Sequence, residues 1–535
     1  SLNFGGLIGE TYGAKFKNDS LVLNVSLKNS NFPQETFKFG GFVGNSFGKI
    51  FVDDVTVSGN IESLEEISQE EMPYTPIYLG GILGSADGDT IIINNAKISS
   101  NFKFSYINPS ELFVGSAIGY VYATTLNMQN VTYDGEISFN NSNGDNISLG
   151  GFVGIYSTPE YNYNSSSSTA TQENLEMKGK INFSLFQDSY RTPINLQMGG
   201  VFGTYQGYDE NPYQLMFNNI KVSGNITLDA AGSAPYIGGI VGNLQAGISE
   251  VNIQNSDISD SISAKAIYPQ IGGLLGAVTA NSLTLTNNKV SSSIDVLSNP
   301  QLDNILEIAS PEVTIGGLIG NNDSWNTFIN NNKVSSNIIV DYDKSFFENP
   351  DMYVRFEHSA LGGLIGKIKS YREGALTSTI DSSSFEGSIK VSNAIPLSYI
   401  GGFVGLISKC QTTILNSFAK NADTLLTANN TTIDGLDRFP LYMGGLIGGV
   451  SSDWDLEFYT QIEQTFVDGL LKLNARNLED GQSLLAGFIG TNDKYIEASN
   501  AYFVGNLSTE TPEAVGIYGL HNTSLTDSDA LRSVY

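Results

Sequence analysis

Residues 271–294 read Ile271-Gly272-Gly273-Leu274-Leu275-Gly276-Ala277-Val278-Thr279-Ala280-Asn281-Ser282-Leu283-Thr284-Leu285-Thr286-Asn287-Asn288-Lys289-Val290-Ser291-Ser292-Ser293-Ile294. A glycine pair opens the stretch, a short Leu/Thr run follows, and an Asn turn leads into Val290 to Ile294. Val, Ile, Leu and Thr alternating with Gly, Asn and Ser mark strands separated by turns. The stretch thus reads as three short strands with no helical period. Working outward, the same pentapeptide opens at Gly5, Gly40, Gly80, Gly115, Gly150, Gly199 and Gly238. Beyond Gly272 it returns at Gly316, Gly362, Gly401 and Gly444, and as Ala486-Gly487-Phe488-Ile489-Gly490. Thirteen copies at about 40-residue intervals are the signature of a solenoid. Val57-Ser58-Gly59-Asn60-Ile61, Val222-Ser223-Gly224-Asn225-Ile226 and Val334-Ser335-Ser336-Asn337-Ile338 repeat the downstream strand.

Three strands at a fixed period predict an all-β parallel β-helix of about 13 three-strand coils. One coil cannot bury its apolar face alone, but stacked coils bury a continuous core. Residues 1–510 form the array, and 511–535 read as a truncated terminal segment. The ends carry no cap, so the solenoid is expected to continue into further sequence or to pair with a second copy, end to end or laterally. Thirteen coils at about 4.8 Å give a rod of roughly 60 Å, with loops of 10 to 20 residues at one corner.

An Asn recurs three residues before the apolar start of the third strand: Asn18, Asn95, Asn130, Asn219, Asn255, Asn287, Asn331 and Asn500, with Asn416 a looser match. Stacking would set these amides one strand spacing apart, close enough to bond to each other. Tolerance of Asn for a left-handed turn is the alternative reading, and the fixed position of the residue favours the ladder over it.

Composition excludes several functions. The chain of 535 residues carries 55 acidic and 27 basic residues, a net charge of −28. That surface repels nucleic-acid phosphates and anionic lipid. One cysteine, Cys410, and two histidines, His358 and His521, rule out a disulfide framework and a Cys- or His-rich metal site. No metal and no cofactor is expected. No apolar run is long enough to span a membrane.

The glycine motif, the Asn turn and the Val-Ser-Gly-Asn-Ile strand together resemble the GLUG-type repeat over roughly residues 5–510, as found in secreted and surface adhesin-like proteins. The copies here are longer than the compact form of that repeat. The resemblance implies an extracellular or cell-surface chain acting as a rigid stalk, adhesin or filament subunit, with a glycan or surface receptor as partner. It carries over no catalytic residue.

The alternative is a β-helix carbohydrate-active enzyme, a polysaccharide lyase or glycoside hydrolase. Such chemistry needs clustered carboxylates with cations. The densest mixed-charge segment holds Asp341, Asp343, Lys344, Glu348, Asp351, Arg355, Glu357 and His358; a solvated loop is the plainer reading. Asp53-Asp54 reads as a variant of the Asn turn. Asp87-Gly88-Asp89 and Asn143-Gly144-Asp145-Asn146 lack the nine-residue period of calcium-binding rolls. The Glu62, Glu65, Glu66, Glu70 and Glu71 cluster reads as a solubilising loop, and Cys410 as a buried small residue.

Asn-x-Ser/Thr sequons at Asn18, Asn24, Asn130, Asn140, Asn146, Asn164, Asn182, Asn225, Asn322, Asn429, Asn430, Asn506 and Asn522 would mark a glycoprotein if a eukaryote secretes the chain. Tyrosines follow three successive glycine motifs: Tyr120 and Tyr122, Tyr156, and Tyr205. Tyr161, Tyr163, Tyr208 and Tyr213 lie just beyond. Stacked at one corner they would form an aromatic strip suited to sugar or peptide; packing of loops onto the solenoid is the plainer role.

Overall fold

In a computed structural model, residues 2–27, 36–63, 75–142, 144–159, 168–185, 195–207, 213–231, 233–298, 312–343, 358–369, 377–394, 397–420, 425–429, 441–451, 459–474, 483–492 and 495–509 are described. They are all strand and turn, and they fall into two compact units, 2–266 and 267–509. Each unit is a parallel β-solenoid.

In the first unit the strand leading into each glycine pair stacks on its counterpart one coil away. Gly5 pairs with Gly40, Gly40 with Gly80, Gly80 with Gly115, Gly115 with Gly150, Gly150 with Gly199 and Gly199 with Gly238, all in parallel. In the second unit the order runs Gly272, Gly316, Gly362, Gly401, Gly444 and Ala486. The repeated pentapeptide therefore sets the register.

One coil shows the path. A lead strand, Asn195–Gly199, turns through the glycine pair into a return strand, Phe202–Gln206. A long arm follows as Tyr213–Asn218, Lys221–Val222 and Asn225–Asp229. That makes five strand segments per coil rather than three. The extra break comes from Asn219, which adopts a left-handed conformation with φ of 54° and bends the arm between its first two segments. In three early coils the arm segments are continuous strand, as in Ile50–Ser63. Alternation along the arm is strict: Ile226 and Leu228 point in while Asn225, Thr227 and Asp229 point out. Each fully buried Ile, Leu or Phe contributes about 1.5–3 kcal/mol.

The glycines act by close approach. A Cβ on Gly242 would sit 2.7 Å from the backbone nitrogen of Met198, in the lead strand of the neighbouring coil. On Gly273 it would meet Cγ1 of Val290, on the opposite arm, at 2.6 Å. Without Cβ atoms the return strand folds back tightly over the lead strands, and side chains fill the narrow groove between their facing surfaces.

Candidate functional site

The groove is lined by two rows. One is the lead-strand position two residues before the glycine pair. The other is the return-strand position five residues after its first glycine. Side chains bond across it. Asn3 Nδ2 donates to Glu10 at 2.7 Å and Lys38 Nζ to Asn45 Oδ1 at 3.0 Å. Ser148 Oγ lies 2.9 Å from Thr204 Oγ1. Between these polar pairs stands an aromatic group: Tyr78 stacks on Phe113 and on Tyr120, with centroids 5.1 Å apart in both cases. The Tyr78 hydroxyl donates to Glu111 at 2.7 Å. Burial, then the Glu111 carboxylate, holds that phenol well above its ordinary range.

In the second unit the groove gathers charge. Glu312 and His358 are register partners on neighbouring lead strands. Lys367 Nζ donates to Glu312 Oε2 at 2.6 Å, and both side chains are 1% exposed. His358 Nε2 and Lys369 Nζ each lie 3.7 Å from Glu312 Oε1. Burial first, then the Lys367 charge, pushes the His358 imidazole down to about 4, so it is neutral at pH 7. Its ring meets Tyr399 edge-on, and Tyr399 stacks on Tyr442. A buried carboxylate between two ammonium groups, with a neutral imidazole alongside, is equipped to hold and pass protons.

The residues singled out in the sequence are placed as follows. Tyr120 and Tyr122 sit five and seven residues after their motif's first glycine and are half-buried on the outer face. Tyr156 and Tyr205 sit six residues after theirs, and this odd step turns them inward. Both are fully buried and pack edge-to-face at 5.2 Å, and burial pushes both phenols upward. Tyr213 is buried as well. The four rings therefore do not share one face, and Tyr156 and Tyr205 belong to the core instead of a surface strip. Tyr161, Tyr163 and Tyr208 lie outside the described residues.

Asn18, Asn95, Asn130, Asn219, Asn255, Asn287, Asn331, Asn416 and Asn500 all adopt the left-handed conformation, with φ between 47° and 57°. Many of their amides also bond between coils. Asn95 donates to Asp53 at 2.9 Å, Asn130 to Asn95 at 3.0 Å and Asn219 to Asn174 at 2.7 Å. Asn255 reaches Asn218 at 3.0 Å, Asn331 reaches Asn287 at 2.7 Å and Asn416 reaches Asp381 at 2.9 Å. Turn geometry and amide bonding thus coexist at one position. Asp54, Asn174, Ser382 and Gln464 hold the same left-handed place. Asn174 donates to Asn130 at 3.1 Å.

A second ladder, not expected from the sequence, runs one residue further on, mainly in the second unit. Asn288 N donates to Asn332 Oδ1 at 3.0 Å, Asn332 N to Ser383 Oγ at 3.2 Å and Ser383 N to Ser417 Oγ at 3.1 Å. In the first unit the equivalent places at Val55, Ala96, Val131, Leu175 and Ile220 are apolar and buried, whereas Ser256 is polar and accepts from Ile220 N at 3.3 Å.

Of the mixed-charge segment, Asp341, Asp343 and His358 are described, while Lys344, Glu348, Asp351, Arg355 and Glu357 are not. The structure joins His358 to Glu312, Lys367 and Lys369, which the sequence reading did not select. Asp87, Asp89 and Asp145 gather no metal set, and among the described residues no group of three or more His, Cys, Asp or Glu could hold an ion. Glu62 is described, but Asn143, Glu65, Glu66, Glu70 and Glu71 are not. Cys410 is 3% exposed, and burial pushes its thiol up to about 12. Among the described residues no helix is long and apolar enough to cross a membrane. In comparisons with family models, with curated proteins and with solved structures, nothing matches this chain.

Proposed function

We propose that this chain is an extracellular or cell-surface structural solenoid, a stalk, adhesin or filament subunit that binds through its outer surface. The observation that carries this reading is where the repeated residues are spent. The third glycines admit neighbouring lead strands, as Gly242 admits Met198, and the left-handed Asn residues bond from coil to coil, as Asn219 does to Asn174. A motif devoted to stacking extends a scaffold and leaves the outer positions free to vary. The resemblance to GLUG-type repeats supports the same reading.

The strongly acidic surface favours neutral glycans or basic protein patches as partners over anionic polymers. In a secreted glycoprotein, the exposed sequon residues Asn18, Asn24, Asn140, Asn225 and Asn506 are the acceptors; Asn130 is exposed but its amide is bonded to Asn95 and Asn174, and Asn322 is fully buried.

The test is attachment. Beads coated with the chain should bind a glycan array or host cells, and soluble chain should compete. Turnover of acidic polysaccharides that is lost in Glu312→Gln and His358→Gln variants would overturn the scaffold reading in favour of an enzyme.

A further inference from the structure

The charged part of the groove holds three groups whose combination has chemistry of its own. Lys367 lies beside Asn321 on the neighbouring coil, as its register partner. Both occupy the outward position five residues after the first glycine, so their side chains share the groove. Parallel strands are about 4.8 Å apart, a gap that a lysine side chain spans. The Oδ1 atom of Asn321 is buried and has no hydrogen-bond partner. Glu312, from the facing lead strand, accepts a hydrogen bond from Lys367 Nζ at 2.6 Å. Glu312 and Lys367 are closed off from solvent. An amine held against a carboxylate thus lies one strand from a primary amide, where water competes poorly as nucleophile.

We propose that Lys367 and Asn321 join in an intramolecular amide bond that forms without another enzyme, with Glu312 moving the protons. Glu312 takes one proton from the Lys367 ammonium and frees the amine lone pair. A C–N bond forms between Lys367 Nζ and Asn321 Cγ. A second proton passes from Nζ to the amide nitrogen, and the Cγ–Nδ2 bond breaks. Ammonia leaves and takes up the proton held by Glu312, departing as ammonium. No oxidant or cofactor enters the balance. Held proximity replaces an encounter between two reactants, the main barrier to amide exchange in water.

The bond would tie together two coils whose partnered residues are 46 positions apart in the chain, Asn321 and Lys367. The inference stands apart from the proposed function, since a scaffold or an enzyme could carry such a link.

Intact mass spectrometry of the purified full chain tests it. The expected mass is lower than the sequence mass by one ammonia, and digestion should yield a branched peptide joining Asn321 to Lys367. Lys367→Arg and Asn321→Ala should each restore the full sequence mass. Asn321→Asp should lose one water instead, because its leaving group is different. Glu312→Gln should leave the two residues mostly unjoined. A native chain at its full sequence mass, or a mass loss mapped to other residues, overturns the proposal. The native chain alone decides the question, even where a variant fails to fold.

Discussion

Asn219 Nδ2 donates to Asn174 Oδ1 at 2.7 Å, and Asn174 in turn donates to Asn130 at 3.1 Å, each from a left-handed turn one coil from the next. Asn174→Ala removes both amide bonds and puts an ordinary side chain at φ of 54°. The left-handed conformation costs such a residue roughly 1–2 kcal/mol, and each lost bond about 1 kcal/mol. Asn174→Gly keeps the turn and loses only the bonds. Urea denaturation should therefore rank Asn174→Ala below Asn174→Gly, with both below the native chain. Equal stability of the two variants would mean that the turn geometry contributes nothing.

Gly242→Ala tests the corner. The added methyl would meet Gly203 O, Met198 N and Met198 O, each at 2.7 Å, and all three are backbone. No side-chain rotation relieves such contacts, and overpacking of this kind costs about 1–3 kcal/mol or more. A clear fall in Tm and in soluble yield is expected, whereas an unchanged melting curve would remove the packing explanation for the motif.

Tyr156 and Tyr205 answer to stability. Truncation of a fully buried aromatic costs about 3–5 kcal/mol, so Tyr156→Ala should melt far below the native chain. Tyr122→Ala, on the outer face, should melt close to it. The reverse order would return Tyr156 to the surface.

His358 makes a pH prediction. Its folded value of about 4 lies below the ordinary 6.5, so between those limits the unfolded chain binds a proton that the folded chain refuses. Stability contributed by this group is complete above about pH 6.5 and is lost as pH falls toward 4, by up to about 3 kcal/mol. The difference between native chain and His358→Gln in denaturation midpoint should narrow or reverse over that window. A difference independent of pH contradicts the burial of a neutral imidazole.

Cys410 should resist thiol reagents at neutral pH in the folded chain and react fully in denaturant, because burial holds its thiol near 12. Rapid labelling of the native chain would place it at the surface.

The period of the glycine motif made the parallel coils and their register readable. So did the spacing of Asn219 and its counterparts, since one repeated residue at one offset needs no long-range knowledge. Ser382 and Gln464 escaped because the left-handed place is defined by geometry and tolerates other residue types. Asn174 was missed although it stands at the same offset before Met177 as Asn130 does before Tyr133. The tyrosines were misread by a single step: Tyr120 and Tyr156 look equivalent along the chain but point to opposite faces. The partnership of Glu312 with Lys367 spans 55 residues. It depends on which coils become neighbours after insertions of unequal length, and no local pattern reports that.

The central claim is that the repeated residues hold stacked parallel coils together, and backbone hydrogen exchange resolved along the chain tests it most directly. Slow exchange should recur at each lead strand and at the return strand after it, as at Asn195–Gly199 with Phe202–Gln206 and at Glu312–Gly316 with Ile319–Asn322. Protection there should fall locally in Gly242→Ala. Uniformly fast exchange through the glycine motifs, or protection confined to segments between them, would contradict the account.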